Sequence, residues 1–286
     1  MNKKTSYPII GSHLSIAKGL DGAIKDARSI NANACQIFVK NGRTWKTKPL
    51  DEKVIEKYHE TMKEGSPVLM VAHASYLINI ASTNEETKSK SIDALIDELT
   101  RCDLLKIPYL VLHPGSHLGA GIEEGCRKVA ESINSIFDAH GFSTTLLLET
   151  AAGQGTNLGS TFEELKTMLS MINNKESIGI CFDTCHVHAA GYSLYPHVEY
   201  EKTIDLFDTI VGIDHLEVIH LNNSKTERGS KKDRHEKLIK GVMPTSVFND
   251  IMQDKQLEKI PKILETPIDK EYLEEYKEEI AWLRSL

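Results

Sequence analysis

Seven short apolar runs in this 286-residue sequence each end on a histidine or a carboxylate. These end residues are His13, His73, His113, Glu149, Asp183, His220 and Glu265. Imidazole and carboxylate groups together are donors that suit zinc, manganese or iron. One such residue at a strand end is commonly structural, as a helix cap such as Asp183 could be. Seven of them in one chain instead predict a shared metal centre.

Three further donors lie outside the run ends. His186 follows Asp183 by three residues in GICFDTCHVHAAGY (179–192), and Asp233 and His235 lie in SKKDRHEK (230–237). Their i, i+2 spacing puts Asp233 and His235 on one side of an extended segment, where they could hold one ion together. A solvated charged loop is the alternative for this stretch. Ten donors are too many for one metal ion and more than two ions would need.

The cysteines allow a different interpretation of the metal site, because Cys181 and Cys185 flank Asp183. Cys181 lies two positions before Asp183 on the same predicted strand, so it points to the same side one layer deeper, where a buried core thiol is the commoner role. Both cysteines are therefore left out of the predicted metal site. The five cysteines are odd in number and form no C-x-x-C motif, which favours reduced thiols in a cytoplasmic protein.

Eight apolar runs predict the strands that position these donors. They span 7–13, 34–41, 67–73, 108–113, 144–149, 178–183, 217–220 and 262–265. The second run differs from the others, because it ends in Lys40 and Asn41. Each run is short and too continuous for a surface strand, as expected of parallel strands covered on both faces. The carboxyl ends of such strands meet on one face of a (β/α)8 TIM barrel.

The segments between the runs have helical patterning. The clearest predicted helices span 91–105, 123–140, 161–172 and 269–286, and Thr161 with Glu164 resembles a capping box. Eight strand–helix units in a chain of this length predict one α/β TIM-barrel domain spanning residues 1–286, with its active site at the strand ends.

Bulk properties exclude some classes of protein. No apolar run approaches the ~18 residues of a membrane span, and the start MNKKTSYPII lacks the apolar region of a secretory signal. The net charge of -7 argues against a nucleic-acid partner unless bound cations change it.

Several longer motifs carry a resemblance to a known family. They are HASYLINIAS (73–82), LHPGSH (112–117), ETAAGQGTNLG (149–159), CFDTCHVHAAGY (181–192), HLNNSK (220–225), DRH (233–235) and ILET (263–266). In this order and spacing the chain resembles the endonuclease IV family of apurinic/apyrimidinic endonucleases. The resemblance implies a TIM barrel that holds three zinc ions, with manganese or iron as alternatives.

The resemblance also implies the ligands of each ion. The first would be held by His73, His113 and a bridging Glu149. The second would be held by Glu149, Asp183, His220 and Glu265. The third would be held by His186, Asp233 and His235. Glu149 and Glu265 then count as catalytic because they fix the metal pair, and His13 falls outside the ligand set and is expected to orient its neighbours.

The implied activity is DNA repair. Two metal ions ~3.5–4 Å apart can activate water and clamp the attacking and leaving oxygens of a phosphodiester. The expected reaction is cleavage of double-stranded DNA 5′ to an abasic site by a monomer, together with removal of blocked 3′ ends. The resemblance implies that Arg43, Tyr76 and Leu77 enter the DNA stack or minor groove beside the lesion. Ordinary loop packing is the alternative for Tyr76.

The chain departs from the family pattern at Ala74, Asn223 and Lys240, where relatives often carry acidic residues. These positions are not ligands, so they bear on the surroundings of the metals and on one DNA-contacting loop. A metal-dependent sugar isomerase or epimerase is the main alternative, but its single ion would leave five donors unexplained. A non-catalytic protein that binds damaged DNA is the second alternative.

Overall fold

A closed barrel of eight parallel strands lies at the centre of the computed structural model, which describes residues 8–286. The strands are β1 (Ile10–His13), β2 (Ala34–Phe38), β3 (Leu69–His73), β4 (Tyr109–Leu112), β5 (Thr145–Glu149), β6 (Ile178–Asp183), β7 (Leu216–His220) and β10 (Lys262–Leu264). Neighbours around the barrel follow chain order, and β10 closes it against β1. The predicted TIM barrel is confirmed. Two further strands of two residues each, β8 (Asn223–Ser224) and β9 (His235–Glu236), pair antiparallel outside the barrel.

Helices connect the strands and cover the outside of the barrel. They are α1 (Leu20–Ser29), α2 (Glu52–Lys63), α3 (Glu85–Leu105), α4 (Ile122–Ala139), α5 (Phe162–Met171), α6 (Thr184–Ala190), α7 (His197–Ile210), α8 (Ser246–Gln253) and α9 (Tyr272–Leu283). Short 3₁₀ turns at Lys175–Ser177 and Ile213–His215 precede β6 and β7.

Inside the barrel, one layer of apolar side chains comes from seven of the strands. Its members are fully buried: Ala34, Val71, Val111, Leu147, Cys181, Val218 and Ile263. The eighth strand contributes Gly11, where an ideal Cβ would lie 1.9 Å from the Ala34 carbonyl oxygen. Successive side chains of a strand alternate between its two faces. The residue two positions after each member of this layer therefore points into the mouth of the barrel.

Element boundaries differ from prediction at several places. The first run was expected from residue 7, which lies outside the described residues, and β1 begins at Ile10. β2 ends at Phe38, so Lys40 and Asn41 belong to the following loop. The helix expected from 91 begins at Glu85, because the Asn84 side chain accepts a hydrogen bond from Thr87 N at 2.9 Å. The last helix is shorter than predicted at both ends.

The capping box predicted at Thr161 is only half formed. Thr161 Oγ1 accepts from Glu164 N at 3.2 Å, as expected. The Glu164 carboxylate instead accepts from the backbone N–H groups of Gly159 and Ser160. It therefore fixes the turn that leads into α5 rather than the cap residue itself.

No helix within residues 8–286 is both long and apolar enough to cross a bilayer. Most of the amino-terminal stretch MNKKTSYPII, which lacks the apolar region of a secretory signal, lies outside the described residues.

Candidate metal centre at the mouth of the barrel

A ring of eight side chains, one from each strand, lies directly above the apolar layer. In chain order they are His13, Gln36, His73, His113, Glu149, Asp183, His220 and Glu265. Each follows a member of the apolar layer, or Gly11, by two residues. The strand alternation that buries the core therefore also brings seven of the predicted donors together.

The first predicted cluster converges on one oxygen. His73 Nε2 and His113 Nε2 lie 3.3 and 3.2 Å from Glu149 Oε2. Glu149 is fully buried, and donor atoms of all three residues lie within 4.8 Å of one another. This spacing allows one small cation to contact all three.

The second predicted cluster uses the other oxygen of Glu149. His220 Nδ1 lies 2.8 Å from Glu149 Oε1, 3.2 Å from Glu265 Oε2 and 3.8 Å from Asp183 Oδ2. Donor atoms of all four residues lie within 4.8 Å of one another. Because each oxygen of Glu149 faces a different cluster, this carboxylate is placed to bridge two ions.

The third predicted cluster joins helix α6 to the loop before β9. His186 Nε2 and His235 Nε2 lie 3.2 and 3.4 Å from Asp233 Oδ1. His235 Nε2 also lies 3.5 Å from Asp183 Oδ2. Asp183 additionally caps α6, since its Oδ1 accepts from His186 N at 2.8 Å. The capping and the ligand interpretations of Asp183 are therefore compatible.

Hydrogen bonds fix which ring nitrogen of each histidine faces the carboxylates. The Nδ1–H groups of His73, His186 and His235 donate to the carbonyl oxygens of Ala74, Thr150 and Glu265 at 2.8, 2.8 and 3.3 Å. A histidine that donates one N–H in this way presents the lone pair of its other nitrogen. Lone pairs of nitrogen and oxygen that face one another at hydrogen-bond distance fit a bound cation. The donor set is thus suited to divalent metal ions.

The carboxylates and imidazoles also shift one another's pKa. Burial alone would lower the pKa of His186, but the carboxylates of Asp183 and Asp233 outweigh it and raise that pKa well above its usual value. Burial likewise opposes ionisation of Glu149, yet His113 and His220 hold its pKa well below the usual range. Against the effect of burial, His186 lowers the pKa of Asp233 to about 2. Without a metal ion, the carboxylates of Glu149 and Asp233 are therefore ionised, and the protonated form of His186 is favoured.

Gln36 is a member of the ring that the sequence interpretation missed. Its Oε1 accepts from His220 Nε2 at 2.8 Å, and its Nε2 donates to Glu265 Oε1 at 2.7 Å and to His13 Nδ1 at 3.0 Å. One amide therefore orients two predicted ligands. The alternation of side chains from Ala34 would have indicated Gln36. It was concealed because the apolar run 34–41 ends at Asn41.

Asn222 has a similar role on the opposite side and was also missed. Its Nδ2 donates to Asp183 Oδ2 at 2.7 Å, and its Oδ1 accepts from Glu265 N at 2.8 Å. Asn222 thereby holds a ligand of β6 and the residue after β10 in a fixed relation.

His13 lies at the edge of the ring, with its Nδ1 3.3 Å from Glu265 Oε1. It is absent from the clusters formed by the described donor residues. This position agrees with the predicted orienting role.

The two cysteines beside Asp183 lie close to donors of the predicted clusters. Cys181 lies near Glu149 and His220, and Cys185 lies near Asp233 and His235. Both are buried and free, and burial raises the pKa of each to about 12.

One of the residues predicted to meet DNA, Tyr76, lines a cavity of about 350 Å³ at this mouth. Tyr76 is 71% exposed, and its ring contacts Phe38 and His73 at centroid distances of 5.4 and 6.1 Å. Arg43 is exposed in the loop after β2, and Leu77 is half-buried beside Tyr76. Tyr76 is therefore a projecting aromatic side chain next to the first cluster.

The departure at Asn223 has a structural reason. Its Nδ2 donates to the carbonyl oxygens of Leu238 and Met243 at 2.7 and 2.9 Å, and its Oδ1 accepts from Met243 N at 3.0 Å. An aspartate could not supply the two donated bonds. Lys240, in the same loop, pairs with Asp269 at 3.2 Å. Ala74 is buried, and its carbonyl oxygen orients His73.

Comparison with known proteins identifies the family. The sequence model of the family described as Xylose isomerase-like TIM barrel matches residues 24–286. A protein of Methanosphaera stadtmanae named "Probable endonuclease 4" is 41% identical over 277 residues, which cover 97% of this chain and 98% of the relative. The chain belongs to the endonuclease IV family.

Solved structures agree with membership of the endonuclease IV family. The crystal structure of endonuclease IV from Thermus thermophilus matches with a TM-score of 0.85 at 32% identity, covering 98% of this chain and 100% of that one. As an endonuclease IV family member, the chain is a nuclease that hydrolyses phosphodiester bonds. A D-tagatose 3-epimerase-like protein also matches, with a TM-score of 0.73 at 20% identity over 96% of this chain and 97% of that one. That second likeness concerns the barrel fold alone.

Proposed function

We propose that this nuclease incises double-stranded DNA at abasic sites. It would hydrolyse the phosphodiester bond 5′ to the lesion and leave a 3′-hydroxyl and a 5′-deoxyribose phosphate. The observation that carries the proposal is the convergence of nine donors in three adjoining clusters at one open mouth. A centre for several metal ions beside an exposed aromatic side chain suits a phosphodiester within DNA.

The residues would divide among three divalent ions, with zinc as the proposed metal and manganese or iron as alternatives. The first set is His73, His113 and Glu149; the second is Glu149, Asp183, His220 and Glu265; the third is His186, Asp233 and His235. When bound, such ions activate water at neutral pH and offset the charge on a phosphate. Glu149 and Glu265 would act by fixing the spacing of the first two ions, since their oxygens face both His220 and the neighbouring imidazoles.

Recognition of the lesion would come from the side chains around the mouth. Tyr76, Leu77 and Arg43 follow β3 and β2 on the same face as the clusters. Insertion of such side chains at a base step kinks DNA, and an abasic site is easy to unstack because one base is already missing. Removal of blocked 3′ ends is proposed as a second activity, because it needs the same phosphodiester chemistry. Three divalent ions would also offset most of the net charge of -7.

One barrel supplies all nine donors and the three recognition residues, so we propose a monomer. The free, buried state of all five cysteines supports the proposal of a cytoplasmic enzyme.

A sugar epimerase is the rival function suggested by the shared barrel. Glu149, Asp183, His220 and Glu265 would suffice for its single ion. The close approach of His186 and His235 to Asp233 would then serve no purpose in catalysis. The third cluster, His186, Asp233 and His235, therefore favours the nuclease with a third ion.

The test is incision of a labelled duplex that contains one abasic site, with zinc-loaded protein. Matched samples would contain the intact duplex, the His186→Ala/Asp233→Ala variant, and protein loaded with manganese or iron. We expect cleavage only 5′ to the lesion, with a 3′-hydroxyl that a polymerase can extend. The variant should lose more than the ~10²-fold that substitutions outside the ligand set cost.

Absence of cleavage by folded, metal-loaded protein would overturn the proposal. Turnover of ketose sugars by the same preparation would support the epimerase instead. Full activity of the variant with two bound ions would remove the third ion from the mechanism.

A further inference from the structure

A buried ion pair lies beneath the two loops that carry the proposed recognition residues. Lys40 is in loop 40–48, and Glu98 is on helix α3. Their side chains are 2% and 1% exposed, with Lys40 Nζ 3.3 Å from Glu98 Oε1. Charged side chains are rarely buried so deeply unless they are paired, and breaking such a pair is costly. The two residues therefore form a local anchor.

Lys40 fastens its own loop to helix α3. Its ammonium group donates to Asp97 Oδ2 at 2.9 Å and to the carbonyl oxygens of Trp45 and Ala94, each at 3.4 Å. Trp45 belongs to the loop and Ala94 to the helix. The loop is therefore tied to α3 before Arg43, and its part after Arg43 is tied at Trp45 to the same ammonium group.

Glu98 fastens the second loop, residues 74–78, to the same helix. Its Oε2 accepts from Ser75 N at 3.1 Å, directly before Tyr76. Ser75 Oγ in turn donates to the carbonyl oxygen of Gly42 at 2.6 Å, directly before Arg43. The ion pair and this hydroxyl thus connect the loop of Tyr76 to the loop of Arg43.

Arg101, one turn further along α3, strengthens the same attachment. Its guanidinium group donates to Asp97 Oδ1 at 3.0 Å, to Thr47 Oγ1 at 2.8 Å and to the Lys48 carbonyl oxygen at 2.6 Å. Asp97 therefore joins the two cations that hold loop 40–48. Helix α3 acts as a common base for both loops.

We propose that the buried Lys40–Glu98 pair positions the two loops for lesion recognition, by fixing Arg43 and Tyr76 relative to one another. This inference rests on the proposed function, since it assigns both exposed side chains to the DNA. Lys40 and Glu98 are positioning residues, because their contacts are with the loops. They contact none of the nine predicted metal ligands in the hydrogen bonds and ion pairs of the described chain.

The test compares Lys40→Met with Lys40→Met/Glu98→Gln, which removes both charges and keeps an acceptor for Ser75 N. The second variant keeps the test valid where the single change prevents folding. Asp103→Asn is the matched control: Asp103 lies on the same helix but accepts from Ser143 N and Thr144 N, ahead of β5 at the other end of the barrel.

Three quantities separate positioning from general instability: steady-state incision of the abasic duplex, bound metal per chain, and affinity for the nicked product duplex. A fourth is acrylamide quenching of Trp45 fluorescence in a Trp282→Phe background, since the chain has two tryptophans. We expect kcat/KM to fall about 10²-fold, mainly through KM, as for misplaced binding groups. Product affinity should fall in parallel, Trp45 should become more accessible, and metal content should not change.

Asp103→Asn should lower the melting temperature without raising KM. Wild-type KM, product affinity and Trp45 quenching in the folded double variant would overturn the inference. An equal rise in KM for Asp103→Asn would also overturn it, since general loosening would then explain the effect. Failure of the wild-type protein to cut the abasic duplex would instead overturn the proposed function, and Trp45 quenching would still report on the anchor.

Discussion

His186 Nε2 lies 3.4 Å from His235 Nε2, and both nitrogens face Asp233 Oδ1. The Nδ1 atoms of both rings are engaged with backbone carbonyl oxygens. Without a metal ion, the carboxylates of Asp183 and Asp233 outweigh burial and raise the pKa of His186, which favours a proton on its Nε2. A metal ion at this position must therefore displace a proton.

Metal affinity of the third cluster should consequently fall as the pH falls. The pKa of Asp233, at about 2, is too low for this carboxylate to contribute near neutrality, so His186, with its raised pKa, carries the effect. Calorimetric titration of metal-free protein in two buffers of different ionisation enthalpy would measure the released protons. An affinity that stays constant between about pH 8 and pH 6, where free imidazoles titrate, would contradict this prediction.

Substitution of Gln36 should weaken metal binding even though Gln36 is not a predicted ligand. Gln36→Ala removes the acceptor for His220 Nε2 and the donor to Glu265 Oε1. Loss of such orienting contacts typically lowers metal affinity 10–100-fold, so about that loss is expected for one ion. Competition with a chromogenic chelator would measure it.

The control for Gln36 is Ser12→Ala, a change at another buried polar residue of the barrel. Ser12 Oγ has no hydrogen-bond partner among the described residues. Its removal should leave metal affinity unchanged. Equal losses for the two variants would mean that the effect is general to buried polar residues of the barrel strands.

Asn223→Asp should destabilise the loop between β9 and α8. A carboxylate would face the carbonyl oxygens of Leu238 and Met243, which now accept hydrogen bonds from the Asn223 amide. An unsatisfied buried polar group costs roughly 1–3 kcal/mol, so the melting temperature should fall. Asn174→Asp, at an exposed residue, is the control and should have little effect. A stable Asn223→Asp protein would contradict the prediction and show that this loop tolerates an acidic side chain at position 223.

Lys262 offers a pH-dependent test of stability away from the metal centre. Its side chain is buried on β10, and burial lowers the pKa of its ammonium group from 10.5 to about 8. Below about pH 8 the folded protein must hold the charge in its interior, so the unfolded chain binds protons more tightly. Stability of the wild-type protein should therefore rise as the pH rises from about 8 towards 10.5.

Lys262→Met should remove that dependence. The variant is expected to be more stable at neutral pH by about 2 kcal/mol, with an advantage that shrinks as the pH approaches the unfolded pKa. Thermal unfolding across this pH range would measure the difference. An advantage that grows with pH would reverse the sign and refute the assignment to this lysine.

Much of the ring of donors could be predicted from the sequence, because the alternation of side chains along a strand depends only on neighbouring residues. Alternation along a strand places His73, Glu149 and Asp183 above the apolar layer, and the end of each apolar run marks the level. Gln36 escaped the rule because β2 is followed directly by another buried residue, Val39. The apolar run 34–41 therefore continued past the level of the ring, and its end did not mark the residue that belongs to the ring.

Contacts made by loops could not be predicted in the same way. The attachment of Lys40 to Asp97 joins residues more than fifty positions apart, with no periodic pattern to connect them. The role of Asn223 likewise depends on carbonyl oxygens of a loop whose path the sequence does not specify. For Asp233 and His235, the i, i+2 spacing was enough, because their segment is extended.

The residues of the second cluster come from strands that are far apart in the chain. The last of these strands, β10, completes the barrel by pairing with β1. β10 has only three residues, and Glu265 follows it directly. An ion shared by Glu149 and Glu265 would cross-link the middle of the chain to its last strand, as a disulfide would, although no disulfide occurs within residues 8–286. Loss of that ion would remove the cross-link, so metal supply would affect the stability of the folded protein as well as its catalysis.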